Sequence, residues 1–129
     1  MSDILRPMAT ILVVDDEPPI RQLVARILER KGHRVIQCGD AAGAMAVTEP
    51  FDLLVVDFVL PDINGRDLTE QLRASRATLP VILMSGYLPD PTLAPPPPST
   101  FLQKPMTPAA LVEIVEQMLV PGSEDPGLH

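Results

Sequence analysis

The chain has 129 residues, 46% apolar and 21% charged, which is enough for one domain with a real core and too little for two. Ten basic against seventeen acidic residues give a formal charge of −7, which argues against nucleic-acid binding by this domain and fits a cation site or a basic partner surface. No apolar run approaches the ~20 residues that span a bilayer, Met1–Met8 lacks the apolar stretch of a secretion signal, and the single cysteine, Cys38, excludes an intrachain disulfide, so a cytoplasmic domain without membrane contact is expected.

Residues 1–8 and 121–129 read as flexible tails around a domain over residues 9–120. Thr10-Ile11-Leu12-Val13-Val14 is a short aliphatic run that ends in Asp15, Asp16 and Glu17. Pro18 and Pro19 suit the first turn of a helix, where no amide donor is needed. Ile20, Leu23, Val24, Ile27 and Leu28 then mark one apolar helical face, and Gly32 provides the stop. His33 reads as a solvated turn residue. Val35-Ile36-Gln37-Cys38 is a more polar strand, suited to a sheet edge, with Cys38 as a small packing residue rather than a nucleophile. Asp40 caps a short helix over Ala41–Thr48, with Ala41, Ala44 and Met45 packing closely on the sheet.

Leu53-Leu54-Val55-Val56 is a continuous apolar run leading into Asp57. Such a run suits a strand buried on both faces in the centre of a parallel sheet. Asp57 thus falls at the carboxyl end of a central strand, where open α/β sheets bind ligands. A helix follows from Asn64 to about Ser75, with Leu68 and Leu72 inward and Arg66, Glu70 and Arg73 expected to be solvated. Val81-Ile82-Leu83-Met84 is a fourth strand stopping at Ser85-Gly86. Between Tyr87 and Ser99 lie Pro89, Pro91 and four consecutive prolines, Pro95 to Pro98, so at most a single turn fits, near Thr92–Ala94. Thr100-Phe101-Leu102-Gln103 is a fifth strand ending at Lys104-Pro105, and Thr107 with Pro108 opens the last helix.

Strand and helix alternate throughout, which calls for a parallel sheet with crossover helices on both faces. Parallel strands share one direction, so Asp15, Asp16, Asp57, Ser85 and Lys104 are brought to one edge. Carboxylates gathered there repel, and a hard divalent cation, most naturally Mg²⁺, relieves this through oxygen ligands. Lys104 adds a point charge for a phosphate oxygen and Ser85 a hydroxyl donor. An Asp beside a metal and an ammonium is a plausible nucleophile toward phosphorus.

With these residues in place, the chain resembles the response-regulator receiver domains of bacterial two-component signalling. The resemblance covers roughly Ala9 to Val120. It rests on Val14-Asp15-Asp16-Glu17, Val56-Asp57, Leu60-Pro61-Asp62-Ile63-Asn64-Gly65, Met84-Ser85-Gly86-Tyr87 and Phe101-Leu102-Gln103-Lys104-Pro105. It implies a doubly wound, flavodoxin-like α/β fold with five parallel strands in the order 2-1-3-4-5. It implies Asp57 as phospho-acceptor, with Mg²⁺ held by Asp16 and Asp57 directly, by Asp15 through water, and by the main-chain carbonyl of Val59. By the same resemblance Lys104 holds the phosphoryl group, Ser85 moves to it on activation, Gly86 leaves its path open and Phe101 is the aromatic switch. The Lys104–Pro105 bond is expected cis. The implied partner is a histidine kinase or histidine phosphotransfer protein, and the domain catalyses only its own phosphorylation and dephosphorylation.

Two departures from the family pattern stand out. Prolines replace the fourth helix, which is expected to be missing or rudimentary, leaving a mobile or polyproline-like loop that transmits the switch poorly. Val59 and Tyr87 stand at positions that tune water access in the family, and their bulk implies slow self-dephosphorylation. A pseudo-receiver acting as a phosphorylation-independent binding module is the alternative. An aspartate-based phosphatase wants a carboxylate two residues after the nucleophile, where Val59 stands. The chain reads equally as a stand-alone receiver or as a receiver from a hybrid histidine kinase.

Overall fold

Each aliphatic run forms a strand, because a β-branched, donor-complete backbone buried on both faces satisfies its polar groups only in a sheet. The strands are β1 (Thr10–Val14), β2 (Arg34–Cys38), β3 (Leu53–Asp57), β4 (Val81–Ser85) and β5 (Ser99–Gln103). All neighbours pair in parallel in the order β2-β1-β3-β4-β5, as the sequence implies. The structure, a computed structural model, describes residues 8–87 and 90–120. The tails expected at residues 1–8 and 121–129 therefore lie outside the described residues, apart from Met8, whose amide donates to the Gly32 carbonyl at 3.0 Å.

Three helices connect strands, α1 (Pro18–Arg30), α2 (Ala41–Met45) and α3 (Gly65–Arg73), and a fourth, α4 (Pro108–Leu119), follows β5. Alternation along the strands divides the core in two. Leu12, Val14, Leu54, Val56 and Leu83 face α2 and α3, while Ile11, Val13, Val55, Ile82 and Met84 face α1 and α4. The predicted caps form, Asp40 accepting from the Gly43 amide and Thr107 from Ala110, and Asn64, expected as the first residue of its helix, instead caps it by accepting from the Asp67 amide. Gly32, at φ +93°, takes the left-handed turn after α1 that a side chain would resist.

Several expectations need correction. The helix from Ala41 stops at Met45 rather than Thr48, in keeping with the bias against helix just before Pro50. Met45 and Leu23 are exposed instead of buried, because α1 seats itself through Val24, Ala25 and Leu28 and leaves Leu23 on the flank. His33 is buried rather than solvated. Burial lowers its pKa against the opposing charge of Glu116, and its Nδ1 has no hydrogen-bond partner among the described residues.

The fourth crossover is a 3₁₀ turn, Pro91–Leu93, one residue earlier than expected, with Asp90 capping it through the Thr92 amide. In the described part of this connection Pro95 is buried, Ser99 Oγ donates to the Pro95 carbonyl at 2.7 Å, and Arg73 of α3 donates to the carbonyls of Pro96 and Pro98. Pro89 lies outside the described residues. The Pro97–Pro98 and Lys104–Pro105 bonds are cis. No helix among the described residues is long and apolar enough to cross a membrane.

Candidate functional site

The carboxyl ends of β1, β3, β4 and β5 bring the predicted polar residues together. Asp57 is the last residue of β3 and Asp15 follows β1; both are buried, while Asp16 is exposed. One oxygen from each of Asp15, Asp16 and Asp57 falls within 4.8 Å of the others, close enough for three carboxylates to share one metal ion. Lys104, just past β5, spans the cluster. Its Nζ lies 2.9 Å from Asp15 Oδ2, 3.2 Å from Asp57 Oδ2 and 3.4 Å from Glu17 Oε1. Asp15 is held from its other side as well, Oδ1 accepting from the Glu17 amide at 2.9 Å.

The electrostatics follow from this crowding. Burial pushes the Asp57 pKa up and the charge of Asp15 adds to that; Lys104 and the Val59 amide oppose it without cancelling it. For Lys104, burial alone would lower the pKa, but the hydrogen bond and charge of Asp15, with those of Asp57, outweigh it and the net shift is upward. Because Asp57 has a higher pKa folded than unfolded, the native state takes up its proton first as pH falls. Its stabilising contribution is present below the ordinary carboxylate pKa of about 4 and is lost as pH rises through the raised value. Ionised Asp57 therefore opposes folding at neutral pH. Asp57→Asn is expected to melt at a higher temperature than the native chain at pH 7, with the gap narrowing toward pH 4; thermal melts across that range measure it, and a lower melting temperature at pH 7 would contradict it.

Ser85 is buried at the end of β4, with its hydroxyl donating to the Tyr87 carbonyl rather than to Asp57. The Lys104 amide donates to the Ser85 carbonyl at 2.6 Å, tying the two strand ends together. A cavity of about 450 Å³ opens above Asp57, lined by Val59, Ser85, Gly86, Tyr87, Leu93 and Lys104 among others. Val59 and Tyr87 are exposed at its rim, and a Cβ added to Gly86 would meet nothing within 4 Å, so the approach there is open. Phe101 is half-buried and packs edge-on to Phe58, ring centroids 6.0 Å apart.

Sequence reasoning missed three contributors. Glu17 pairs with Lys104, as its place beside Asp15-Asp16 could have signalled. Asp62, quoted only within a motif, crosses to the start of α2 and accepts from the amides of Ala41 and Ala42 at 3.1 and 3.0 Å. The Ala41 amide leads the effects that hold its carboxyl below the usual range. Arg21 reaches back from α1 to the Asp15 carbonyl, a long-range contact with no local signature.

A doubly wound sheet with acids, a hydroxyl and a lysine at the strand ends defines a class of signalling domain, and comparison with known proteins gives the family. The chain belongs to the response regulator receiver domain family, whose profile matches residues 11–116. It is 37% identical over 79 residues to the probable transcriptional regulatory protein TcrX of Mycobacterium tuberculosis, covering 60% of this chain and 34% of that protein. It is 41% identical over 87 residues to the transcriptional activator protein PfeR of Pseudomonas aeruginosa, covering 66% of this chain and 28% of that protein. The chain thus spans about a third of the length of the curated relatives it matches. Among solved structures, the receiver domain of the hybrid histidine kinase CckA superposes with a TM-score of 0.76 at 34% identity, over 86% of this chain and 99% of that one. A response regulator receiver protein from Sinorhizobium medicae superposes at 0.79 with 26% identity, over 85% and 93%.

Proposed function

We propose that this receiver domain accepts a phosphoryl group on Asp57 from the phosphohistidine of a histidine kinase or histidine phosphotransfer protein, and that the change relays a signal to a further protein. The observation that carries this reading is the Lys104 ammonium bridging Asp15 and Asp57 at 2.9 and 3.2 Å on the floor of a cavity open to solvent. The donor set fits Mg²⁺: three hard carboxylate oxygens within 4.8 Å of one another, of which Asp16 is exposed to an entering ion. Asp16 and Asp57 would ligate it directly, Asp15 through water, and the Val59 carbonyl would add an oxygen. When bound, Mg²⁺ would neutralise charge on the transferring phosphoryl oxygens.

An Asp57 carboxylate oxygen attacks phosphorus in line while the bond from phosphorus to the histidine nitrogen breaks and that nitrogen leaves with its electron pair. Lys104, held between Asp15 and Asp57, offsets the negative charge on the moving group. The acyl phosphate then offers acceptors near Ser85, whose hydroxyl exchanges the Tyr87 carbonyl for a phosphoryl oxygen. That movement makes room for Phe101 to turn inward from its edge contact with Phe58. The domain turns over no external metabolite, and its charge of −7 favours protein over nucleic-acid contact in its cytoplasmic setting.

Intact mass after incubation with acetyl phosphate tests this. A gain of one phosphoryl group that needs Mg²⁺ and vanishes in Asp57→Asn is the expected result. If neither acetyl phosphate nor Mg²⁺ with beryllofluoride alters the site, the domain is a phosphorylation-independent binding module instead.

A further inference from the structure

Arg21 stands one turn into α1, outside the acidic cluster, and its guanidinium folds back toward the end of β1. Its Nη1 donates to the main-chain carbonyl of Asp15 at 2.9 Å. The same nitrogen lies 3.3 Å from where a Cβ on Gly39 would sit, so the guanidinium occupies space that the β2–α2 connection leaves open by carrying glycine there. Asp15 is fully buried, and a buried carbonyl needs a donor. Arg21 supplies it.

We propose that Arg21 is a positioning residue that sets the affinity of the acidic cluster for a divalent cation. Four contacts hold Asp15: the Cys38 carbonyl on its amide, Lys104 on Oδ2, the Glu17 amide on Oδ1, and Arg21 on the main-chain oxygen. The last differs in kind, because it fixes the peptide plane joining Asp15 to Asp16. Asp16 is exposed, and its side chain has no hydrogen bond or ion pair among the described residues. Its direction is therefore inherited from its backbone, and that backbone is anchored by Arg21. With the guanidinium gone, the Asp15 carbonyl loses its donor, and the plane of the Asp15–Asp16 peptide is held only indirectly, through the Glu17 amide on Asp15 Oδ1 and the Asp15 amide on Cys38. The cluster then loses the convergence that places the three carboxylate oxygens within 4.8 Å. Groups that orient metal ligands without touching the metal typically change affinity by about 10- to 100-fold when removed.

The inference rests on reading the cluster as a cation site, and the experiment separates the two. Mg²⁺ is titrated by calorimetry, or by amide shifts, into the native chain, R21A and R21K, with melting temperatures recorded in chelator. R21A is expected to bind Mg²⁺ about tenfold more weakly or worse, and R21K, whose ammonium can still reach the Asp15 carbonyl, to recover most of the loss. A role confined to fastening α1 would lower the melting temperature in chelator and leave Mg²⁺ affinity alone. Unchanged affinity in a folded R21A overturns the proposal while the cation site stands. A native chain that binds no Mg²⁺ overturns both. Should R21A fail to fold, R21Q takes its place with the same two outcomes.

Discussion

Replacing Gly65 with alanine is expected to destabilise the domain by about 1–3 kcal/mol and to weaken phosphoryl uptake at Asp57 along with it. A Cβ at this position would sit 2.6 Å from the main-chain oxygen of Asp57 and 3.2 Å from the Cα of Phe58. Both are backbone atoms at the end of a fully buried strand, so no flexible side chain can swing away. The helix cannot easily retreat either. The Gly65 amide donates to the Phe58 carbonyl at 2.7 Å, tying the first turn of α3 to the strand end. Contact between α3 and the strand end that presents Asp57 is what the glycine permits. Urea unfolding measures the loss, with Gly86→Ala as the control, since that Cβ would meet nothing within 4 Å. Equal stabilities for the two variants would mean that α3 shifts freely, and Asp57 uptake would then be unaffected.

The parts of this fold that were legible in the sequence are those written locally. Four-residue aliphatic runs such as Leu53–Val56 admit few alternatives to a central strand, and the predicted caps, Asp40 and Thr107, are each decided within three residues of themselves. The acidic cluster was legible for a related reason: parallel strands convert a position in the chain into a position along one edge, so Asp15, Asp57 and Lys104 could be placed together without a model of the turns. What escaped depended on partners distant in sequence. Leu23 fits the apolar period of its helix, yet only the seat of α1 against the sheet and α4 decides that Val24 and Leu28 go in and Leu23 stays out. His33 looks like a turn residue until the segment before β1 is laid beside it, with the Arg34 amide on the Ala9 carbonyl and the Met8 amide on the Gly32 carbonyl. Asp62 reads as one acid in a motif, and its use at the start of α2 depends on a contact across 20 and 21 residues. The proline run predicted the loss of a helix but not the contacts of what replaced it, because their donor, Arg73, lies in α3.

That anchor carries the other large prediction. Arg73→Ala is expected to destabilise the domain by about 2–4 kcal/mol; a hydrogen bond to a charged group is worth about 1.5–3 kcal/mol net, and the carbonyls of exposed Pro96 and half-buried Pro98 regain water when Arg73 is removed, so its bonds do not add in full. The guanidinium reaches three carbonyls on two segments: Nε and Nη2 to Leu79 at 3.1 and 2.8 Å, Nη1 to Pro96 at 2.6 Å and Nη2 to Pro98 at 2.9 Å. Prolines contribute carbonyls without amides, so a segment rich in them offers acceptors that no helix of its own can use. A half-buried, planar five-donor fork from α3 meets that demand. Burial lowers the Arg73 pKa, but an arginine remains charged across the accessible range. The Pro98 carbonyl also accepts from the Val81 amide at 3.1 Å, so the clamp sits where β4 and β5 begin to pair. Arg73 thus does for the fourth crossover what a packed helix would otherwise do. Lysine in its place is expected to recover little, since one ammonium cannot serve carbonyls spread in a fork. Amide exchange gives the readout: faster exchange concentrated in residues 90–103 of Arg73→Ala, with the α1 and α4 side little changed. Uniformly faster exchange would point to a general loss of core stability, and an Arg73→Lys variant as stable as the native chain would show that charge alone, rather than the fork, holds the connection.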